Sequence, residues 1–261
     1  MKVSDLLEKV REQKPLVHHI TNWVTIYDCA NIVKVLGGSP VMAHAPEEVA
    51  QMTNIASALV LNIGTLTNDL IEAMKIAALA ANKKNIPIVL DVCGAGATKF
   101  RDQKILELLE QVKIDIIKGN ASEIARVSGL DVSTKGVDSS EVNTDLTLVA
   151  KQLAKQKDCI VVITGKIDII ASKDKCFKVK NGNEMMEHVV GTGCMAASVI
   201  GTFAAVGDDL AIAACAGLCA YEVAAEQAVN ISSGPATFKE KLFDCIFNLK
   251  SSDIDASQRI E

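Results

Sequence analysis

The sequence has few aromatic residues and no excess of positive charge. Only 3% of its 261 residues are Phe, Trp or Tyr, and the formal net charge is −5. Proteins that bind nucleic acids usually present a basic surface with aromatic side chains on which bases stack. The composition therefore argues against a nucleic-acid partner.

Charged residues interrupt the apolar positions of residues 1–10, so this segment does not have the uninterrupted apolar region expected of a secretory signal. Its eight cysteines form no CxxC pair and no Cys/His cluster at zinc-ligand spacing. Residues 189–207 contain no charge, but their glycine, alanine and hydroxyl content favours a helix buried within a domain over a membrane span. We therefore expect a cytoplasmic protein with reduced thiols and no membrane partner.

Three common catalytic signatures are missing as well. The sequence contains no GxxxxGK[ST] phosphate loop, no GxSxG nucleophile turn and no GxGxxG in a first βαβ unit. If this protein handles phosphate, it must therefore bind it through a different arrangement of backbone and side chains.

What the sequence does contain is an alternation of short apolar segments and longer segments with helical period. This alternation predicts one α/β domain over residues 1–261, in which helices cover both faces of a mostly parallel sheet. We further expect a loop at 129–143 and a frayed tail at 251–261. The predicted strands are 16–20, 39–43, 58–63, 87–92, 114–118, 160–164, 168–172 and 176–180. The predicted helices are 23–36, 46–56, 68–84, 99–111 and 144–155.

The most informative motif is the glycine turn at residues 188–194, which precedes a helix of small residues. Gly191 and Gly193 allow successive backbone N–H groups to converge at the helix N-terminus, where the helix dipole also favours an anion. The motif therefore predicts a site for a phosphoryl group in transit. The alternative is a tight turn into a buried helix, with Cys194 as a small core residue.

A second glycine turn, residues 94–98, follows Asp91 at the end of a predicted strand. Ligands of open α/β sheets bind beyond the carboxyl ends of strands, so this turn is a second candidate for an anion site. Asp91 is suited to hold a magnesium ion through water, because Mg²⁺ keeps most of its water ligands. Alternatively, Asp91 only caps the turn.

A third polar segment, residues 118–123, again follows a strand directly. Lys118 is a candidate to bind phosphate, and Glu123 to orient a hydrated metal from the first turn of its helix. The spacing of Asn120 and Glu123 is also that of an ordinary capping box. Thr164, at the end of the next strand, either bonds a phosphate or simply ends the strand.

Taken together, these motifs resemble the hydroxyethylthiazole kinase family of the ribokinase-like superfamily, over about residues 15 to 249. Where the family usually has proline after the aspartate, this chain has Val92 followed by Cys93; it also has His19 in place of asparagine and Ala236 in place of glycine. The segments that carry the resemblance are 17–22, 38–45, 62–66, 94–98, 119–124 and 188–194.

The resemblance implies thiamine salvage, in which ATP and Mg²⁺ convert 4-methyl-5-(2-hydroxyethyl)thiazole to its phosphate. It also implies a homotrimer with active sites between subunits, Met42 and Gly64 being supplied by a neighbouring subunit. Carried over by position, the residues take four roles. They are Asn22, Val24, Met42, Gly64 and Gly191 for the thiazole; Lys118 and Thr164 for ATP; Asp91 and Glu123 for the metal; and Thr192, Gly193 and Cys194 for catalysis.

Cys194 needs an explanation, because ribokinase-like enzymes resemble one another in having an aspartate base at this position. A helix N-terminus lowers the pKa of a thiol, whereas bound phosphates raise it. Phosphoryl transfer passes through a loose transition state, so positioning and charge stabilisation matter more than early deprotonation of the alcohol. We therefore expect Cys194 to orient the hydroxyl and to accept its proton late, beside an anion hole formed by residues 191–194.

Three other functions fit the same sequence. The first is a kinase of the same fold for another small alcohol, such as hydroxymethylpyrimidine. The second is an NAD(P)H-hydrate dehydratase, although such enzymes usually carry aspartate where this chain has Cys194. The third is a protein that binds nucleotide or thiazole without turnover, for which the missing aspartate would be the argument.

Overall fold

A single mixed sheet lies at the centre of the protein. The computed structural model describes residues 2–129 and 145–261, and within them the strand order is β2-β1-β3-β4-β5-β6-β7-β8. Neighbouring strands from β2 to β6 are parallel, whereas β7 pairs antiparallel with β6 and β8. The strands are β1 Leu16–Ile20, β2 Ser39–Val41, β3 Ala58–Asn62, β4 Ile88–Asp91, β5 Ile116–Asn120, β6 Ile160–Thr164, β7 Asp168–Ala171 and β8 Cys176–Val179.

Helices cover both faces of this sheet, which confirms the predicted fold class. Successive strand residues point to opposite faces, so each strand contributes to two separate apolar cores. Val60 and Val89 pack with α1, α2 and α8–α11, whereas Leu61 and Leu90 pack with α4 and its neighbours. The helices are α1 Val3–Gln13, α2 Ile26–Leu36, α3 Val49–Ile55, α4 Asn68–Lys84, α5 Lys99–Gln111, α6 Ala121–Val127, α7 Leu146–Lys157, α8 Thr192–Ala204, α9 Leu210–Val229, α10 Pro235–Asn248 and α11 Ser251–Ser257, with a 3-10 helix at Glu184–His188.

Most predicted elements are present, with shifts of a few residues at their ends. The helix predicted at 23–36 starts only at Ile26, because the Asn22 side chain accepts the N–H groups of Val24 and Thr25 and holds a turn there. The strand predicted at 114–118 runs instead from Ile116 to Asn120. Apart from Gly129, the loop predicted at 129–143 lies outside the described residues.

The expectation that residues 251–261 fray is wrong. They form α11, whose Ile254 is buried, and then a short antiparallel pairing beside β8. The backbones of Lys178 and Glu261 exchange two hydrogen bonds of 2.7 and 2.9 Å. An edge strand presents unpaired backbone groups, and here the residues around Ile260 form hydrogen bonds with the free edge of β8.

The charge-free segment at 189–207 contains α8, which lies in the core against the sheet. At Gly201 the helix lies so close to the sheet that a Cβ added there would be 2.3 Å from Val60 Cγ2. The next helix, α9, is long and apolar enough to cross a membrane, but 78% of its apolar window is buried inside the protein. Core helices of folded domains show this same combination.

Candidate active site

Polar side chains gather at the carboxyl ends of β1, β3, β4 and β5, where these parallel strands face the N-terminus of α8. β3 and β4 are apolar up to a polar last residue, β5 is apolar up to Lys118, and β1, which contains two buried histidines, is followed by Thr21 and Asn22. Because all four strands run the same way, their last residues meet at one edge of the sheet, where ligands of open α/β sheets bind. These residues are Asn22 just after β1, Asn62 on β3, Asp91 on β4 and Lys118 on β5.

Lys118 and Asp91 form a buried ion pair at the centre of this group. The Nζ–Oδ2 distance is 3.3 Å, and the side chains are 5% and 1% exposed. Burial disfavours the charged lysine, but the carboxylates of Asp91 and Glu123 outweigh it and raise the pKa of Lys118, which is therefore an ammonium. Its Nζ lies 3.4 Å from the position of a Cβ built on Gly193. The positive charge thus faces the glycine turn.

The turn before α8 leaves backbone donors open to this space. The N–H groups of Gly193 and Cys194 have no acceptor among residues 2–129 and 145–261, whereas Met195 N–H bonds to Gly191 O at 2.7 Å. Gly191 has a φ of +100°, and a Cβ there would lie 2.8 Å from Thr25 Cγ2, so no other residue fits without strain. Free N–H groups at a helix N-terminus, beside an ammonium, form an anion site.

Cys194 stands at the same place with a sulfur that accepts several hydrogen bonds. The Nδ2 atoms of Asn22 and Asn62 each lie 3.3 Å from Cys194 Sγ. The Cys93 thiol has the largest effect on the pKa of Cys194 and lowers it. Burial raises this pKa, whereas the charge of Lys118 lowers it, and the result is a pKa of about 5. These contacts favour the thiolate form of Cys194.

The second glycine turn, residues 94–98, is not an anion site. Its N–H groups are already used within the chain: Gly94 donates to Glu123 Oε1 and Gly96 to Asp102 Oδ1, both at 2.7 Å. Ala95 and Ala97 donate to backbone oxygens of the same turn. Two carboxylates thus occupy the place that a phosphate would take, which corrects that prediction.

Asp91 and Glu123 differ in what they offer a magnesium ion. Asp91 Oδ2 accepts from Asn62 Nδ2 at 2.9 Å, but Oδ1 is buried and has no partner in the described part of the chain. Burial raises the pKa of Asp91 above its ordinary range, and Lys118 opposes this. Glu123 instead accepts Gly94 N–H on one oxygen and Asn120 N–H on the other. The unpartnered Oδ1 of Asp91 can accept a hydrogen bond from a metal-bound water, whereas Glu123 completes the capping box of α6.

Val92, one of the departures from the family pattern, extends the backbone pairing of β4. Its N–H donates to Lys118 O at 2.9 Å, a bond that proline cannot make. Asp91 nevertheless keeps its place in the sheet, paired with Asn62 on one side and Lys118 on the other. The substitution therefore leaves the Asp91 carboxylate at the edge where the site forms.

Among the residues expected to bind a thiazole, Asn22 contacts Cys194 and Gly64 lies beside Asn22. A Cβ on Gly64 would lie 3.0 Å from Asn22 Cβ, so these two residues meet within one chain, and Gly64 need not come from a neighbouring subunit. Val24 is 68% exposed. Met42 follows the edge strand β2 and is partly buried, and its carbonyl bonds to His44, whose ring lies against Trp23.

Two predicted residues use their hydroxyl groups inside the protein. Thr192 Oγ1 lies 2.9 Å from Met186 O and 3.2 Å from Val189 O, so it fixes the turn that leads into α8. Thr164 Oγ1 lies 3.4 Å from Gly119 O at the end of β6. It is partly buried and stands two strands away from Asp91.

Several residues that shape the site were not expected. Asn62 joins Asn22, Asp91 and Cys194, and its oxygen accepts Gly64 N–H at 2.8 Å. Its position as the polar end of an apolar strand is the signal that could have identified it. Others have no such signal. Arg101 donates to the carbonyls of Ile63, Gly64 and Cys93, and Tyr221 donates to Thr192 O.

The chain is similar to known proteins over almost its whole length. A family model described as the hydroxyethylthiazole kinase family matches residues 7–252. The chain is 54% identical over 255 residues to hydroxyethylthiazole kinase from Methanosarcina mazei, with 98% of each chain covered. Its structure is similar to that of a hydroxyethylthiazole kinase protein from Pyrococcus horikoshii, with a TM-score of 0.90, 35% identity and coverage of 99% of this chain and 98% of that one. A ribokinase-like superfamily protein from Enterococcus faecalis, 14% identical and with a TM-score of 0.66 over 95% of each chain, shares the fold.

Proposed function

The chain belongs to the hydroxyethylthiazole kinase family, and from that premise we propose how its site transfers the terminal phosphoryl group of ATP to the hydroxyl of 4-methyl-5-(2-hydroxyethyl)thiazole. The family and the ribokinase-like fold inferred from the sequence motifs are confirmed, and membership makes the protein a phosphotransferase. The use of ATP and Mg²⁺, the roles of individual residues and the assembly are the proposal developed here.

One observation carries the proposed mechanism: two free backbone donors, the Lys118 ammonium and the Cys194 sulfur lie close together. The N–H groups of Gly193 and Cys194 and the Nζ of Lys118 would hold the oxygens of the phosphoryl group in transit. Donors fixed by the fold stabilise developing charge without reorganising during the reaction. The substrate hydroxyl would then lie beside Cys194 Sγ.

In the proposed step, the alcohol oxygen forms a bond to the γ-phosphorus while the bond to the ADP oxygen breaks. Cys194 Sγ receives the alcohol proton after the new bond has begun to form, because the alcohol becomes much more acidic as its oxygen gains a bond to phosphorus. A weakly basic thiolate, with a pKa of about 5, suffices for such late transfer. Asn22 and Asn62 orient the sulfur for this role.

The site also suits a magnesium ion held through water. When bound, Mg²⁺ would neutralise phosphate charge and orient the phosphates. Asp91 would hold one of its water ligands through the buried Oδ1 that lacks a partner. Glu123 would act on the metal only at a distance, by fixing the turn at Gly94.

We place the thiazole between Asn22, Val24, Gly64 and the turn at Gly191, with ATP on the side of Lys118 and Thr164. The polar atoms of Asn22 are engaged inside the protein, so it would offer the thiazole van der Waals contact only. Met42 would reach this pocket from a neighbouring subunit of a homotrimer. A cytoplasmic location agrees with eight free cysteines.

Substitutions at three positions test the proposed role of Cys194. We expect Cys194→Asp to retain kinase activity with the thiazole alcohol and Mg-ATP, since a carboxylate can also accept the late proton. Lys118→Ala and Gly193→Val should lower kcat/KM more, because the first removes a phosphate contact and the second obstructs one. Steady-state kcat and KM would be measured for each, with Cys245→Ser, on α10, as the matched control.

Loss of activity in Cys194→Asp alone would contradict this role. A substrate panel separates the other functions: phosphorylation of hydroxymethylpyrimidine in preference to the thiazole would indicate the related kinase, and ATP-dependent dehydration of NADH hydrate would indicate the dehydratase. Binding of the thiazole alcohol by calorimetry, without any phosphorylated product, would indicate a protein that only binds.

A further inference from the structure

Arg101 reaches from α5 to two turns that border the site. Its Nη1 donates to Ile63 O at 2.8 Å and to Cys93 O at 3.1 Å, and its Nη2 donates to Gly64 O at 2.6 Å. Ile63 and Gly64 follow β3 and begin the Gly64 turn, residues 63–65, whereas Cys93 follows β4. One guanidinium therefore joins the turns at the carboxyl ends of two neighbouring strands.

The second glycine turn is shaped to receive this side chain. Gly94 has a φ of +79°, and a Cβ there would lie 3.1 Å from Arg101 Nη1, so a larger residue would press on the guanidinium. The carboxylate of Asp102, the next residue along α5, bonds instead to Gly96 N–H and to Arg126. The end of β4, which the sequence marked as the start of an anion site, thus offers a backbone oxygen to a cation.

The two turns do not depend on Arg101 equally. Gly94 N–H bonds to Glu123 Oε1 at 2.7 Å, so the second glycine turn has another connection to the rest of the protein. The carbonyl oxygens of Ile63 and Gly64 accept from no other donor within residues 2–129 and 145–261. Loss of the guanidinium should therefore release the Gly64 turn more than the second glycine turn.

The Gly64 turn lies against the residues that surround the proposed thiazole pocket. A Cβ on Gly64 would lie 3.0 Å from Asn22 Cβ, and Gly64 N–H donates to Asn62 Oδ1 at 2.8 Å. Asn22 and Asn62 both bond to Cys194 Sγ. A shift of this turn would therefore change the space beside Cys194, and small displacements of groups that hold a substrate have large effects on its reaction.

We propose that Arg101 positions the Gly64 turn and thereby sets the KM for the thiazole alcohol without touching it. The part that concerns the thiazole rests on the proposed function, which takes Gly64 as a wall of the pocket. A guanidinium suits this task because its planar fork of N–H donors meets carbonyls that come from separate turns, a geometry that the compact ammonium of lysine does not match.

The first test is the steady-state kinetics of Arg101→Ala with the thiazole alcohol and Mg-ATP. We expect the KM for the alcohol to rise about ten-fold, because removal of a charged hydrogen-bond donor usually costs at least that much. The KM for ATP and kcat should stay close to the parental values, since β3 and β4 remain paired through Asn62 and Asp91. A parental KM for the alcohol in folded Arg101→Ala would overturn the proposal.

Arg11→Ala is the matched control, because Arg11 also donates to three backbone carbonyls but lies away from the site. It contacts Gly37, just before β2, and is therefore near the amino ends of the strands. The carbonyls are those of Ile246, Phe247 and Leu249. Its loss should lower stability in urea and leave the KM for the alcohol unchanged. An equal rise of this KM in both alanine variants would indicate general loosening and would overturn the proposal.

Arg101→Lys keeps the positive charge without the fork. We expect its KM for the alcohol to be raised like that of Arg101→Ala, and the lysine variant carries the test alone if circular dichroism shows that the alanine variant is misfolded. A parental KM in Arg101→Lys would show that charge is sufficient and would overturn the role given to the fork.

Hydrogen exchange followed by mass spectrometry tests the structural step without any substrate. Peptides that cover residues 60–66 should exchange faster in Arg101→Ala than in the parent, and at the parental rate in Arg11→Ala. Unchanged exchange in Arg101→Ala would overturn the proposal. Faster exchange, combined with a parent that binds no thiazole alcohol by calorimetry, would support the role of Arg101 in holding the turn and would refute the proposed function instead.

Discussion

At the scale of single residues, the site depends on polar side chains that end apolar strands. Sequence reasoning located several of them, because an Asp or Lys after a run of Ile, Val and Leu marks the end of a buried strand. It did not show that Asn62 joins Asp91 to Cys194, since Asn62 lies 29 positions from Asp91 and 132 positions from Cys194. Such contacts depend on the order of strands in the sheet, which local pattern does not fix.

Asp168 and Glu222 are two further buried acidic residues. Burial has the largest effect on the pKa of Glu222 and, with Asp168, raises it to about 12, which favours the neutral form in the folded protein. Asp168 Oδ1 accepts Gly165 N–H at 2.9 Å and thereby holds the turn after β6. The neutral Glu222 allows Asp168 to be buried beside it without repulsion.

Glu222→Gln should change how stability depends on pH. The folded state holds a proton that an unfolded chain releases near pH 4.5, so the stability from this group is complete below that pH and declines as pH rises toward 12. We expect the parent to lose stability between pH 5 and pH 9 more steeply than Glu222→Gln, because glutamine stays neutral. Urea unfolding at several pH values would measure the difference.

The matched control is Glu240→Gln, an exposed residue on α10, which should follow the parent curve at every pH. Parallel curves for the parent and Glu222→Gln would show that Glu222 has the same pKa in both states. That result would contradict the argument that a proton on Glu222 permits the burial of Asp168.

At the scale of elements, the position of α8 sets the geometry of the phosphate site. The helix is packed against β3 and β4 through Gly201, and its N-terminus carries the free N–H groups of Gly193 and Cys194. A helix of small residues can approach a sheet closely, and this closeness brings its first turn level with the ends of the strands. The small-residue composition was visible in the sequence, but the distance of approach was not.

Gly201→Ala tests this close packing. The added methyl group would lie 2.3 Å from Val60 Cγ2, so α8 must move away from the sheet. Overpacking of a tight core usually costs about 1–3 kcal/mol in the free energy of unfolding. We expect a loss in this range by denaturant unfolding, together with a lower kcat because the N-terminus of α8 moves.

Gly234→Ala is the control, since its backbone is extended and a Cβ there meets no atom within 4 Å. It should leave stability and kcat close to those of the parent. Full stability in Gly201→Ala would show that α8 can shift freely. The site would then need another explanation for its fixed geometry.

Other elements show where sequence reasoning fails for physical reasons. The turn at 94–98 has the composition of an anion site, yet Glu123 and Asp102 fill it from α6 and α5. The tail has the polar composition of a frayed end, yet it pairs with the exposed edge of β8. In both cases the deciding partner is distant in sequence, whereas the predicted helices and strands depend mainly on local pattern.

At the scale of the whole molecule, apolar side chains are exposed around the entrance to the site. Trp23, Val24 and Tyr27 are 49%, 68% and 76% exposed, and Val190, 74% exposed, lies close by, since Gly191 lies against Thr25. Exposed apolar groups clustered in this way usually mark an interface. The segment between β1 and α2, which we proposed to line the thiazole pocket, thus also offers an apolar surface.

The proposed homotrimer makes this surface the contact between subunits. We expect light scattering to give a mass about three times that of one 27.8 kDa chain, because a closed ring of three subunits buries this surface on every subunit.

Tyr27→Glu should yield a smaller species, since it places a charge in an apolar contact. It should also raise the KM for the thiazole alcohol if Met42 comes from the neighbouring subunit. Phe247→Glu, a similar change at an exposed residue on α10, should remain trimeric and active. A monomeric parent with full activity would contradict the assembly and require each chain to complete its own thiazole pocket.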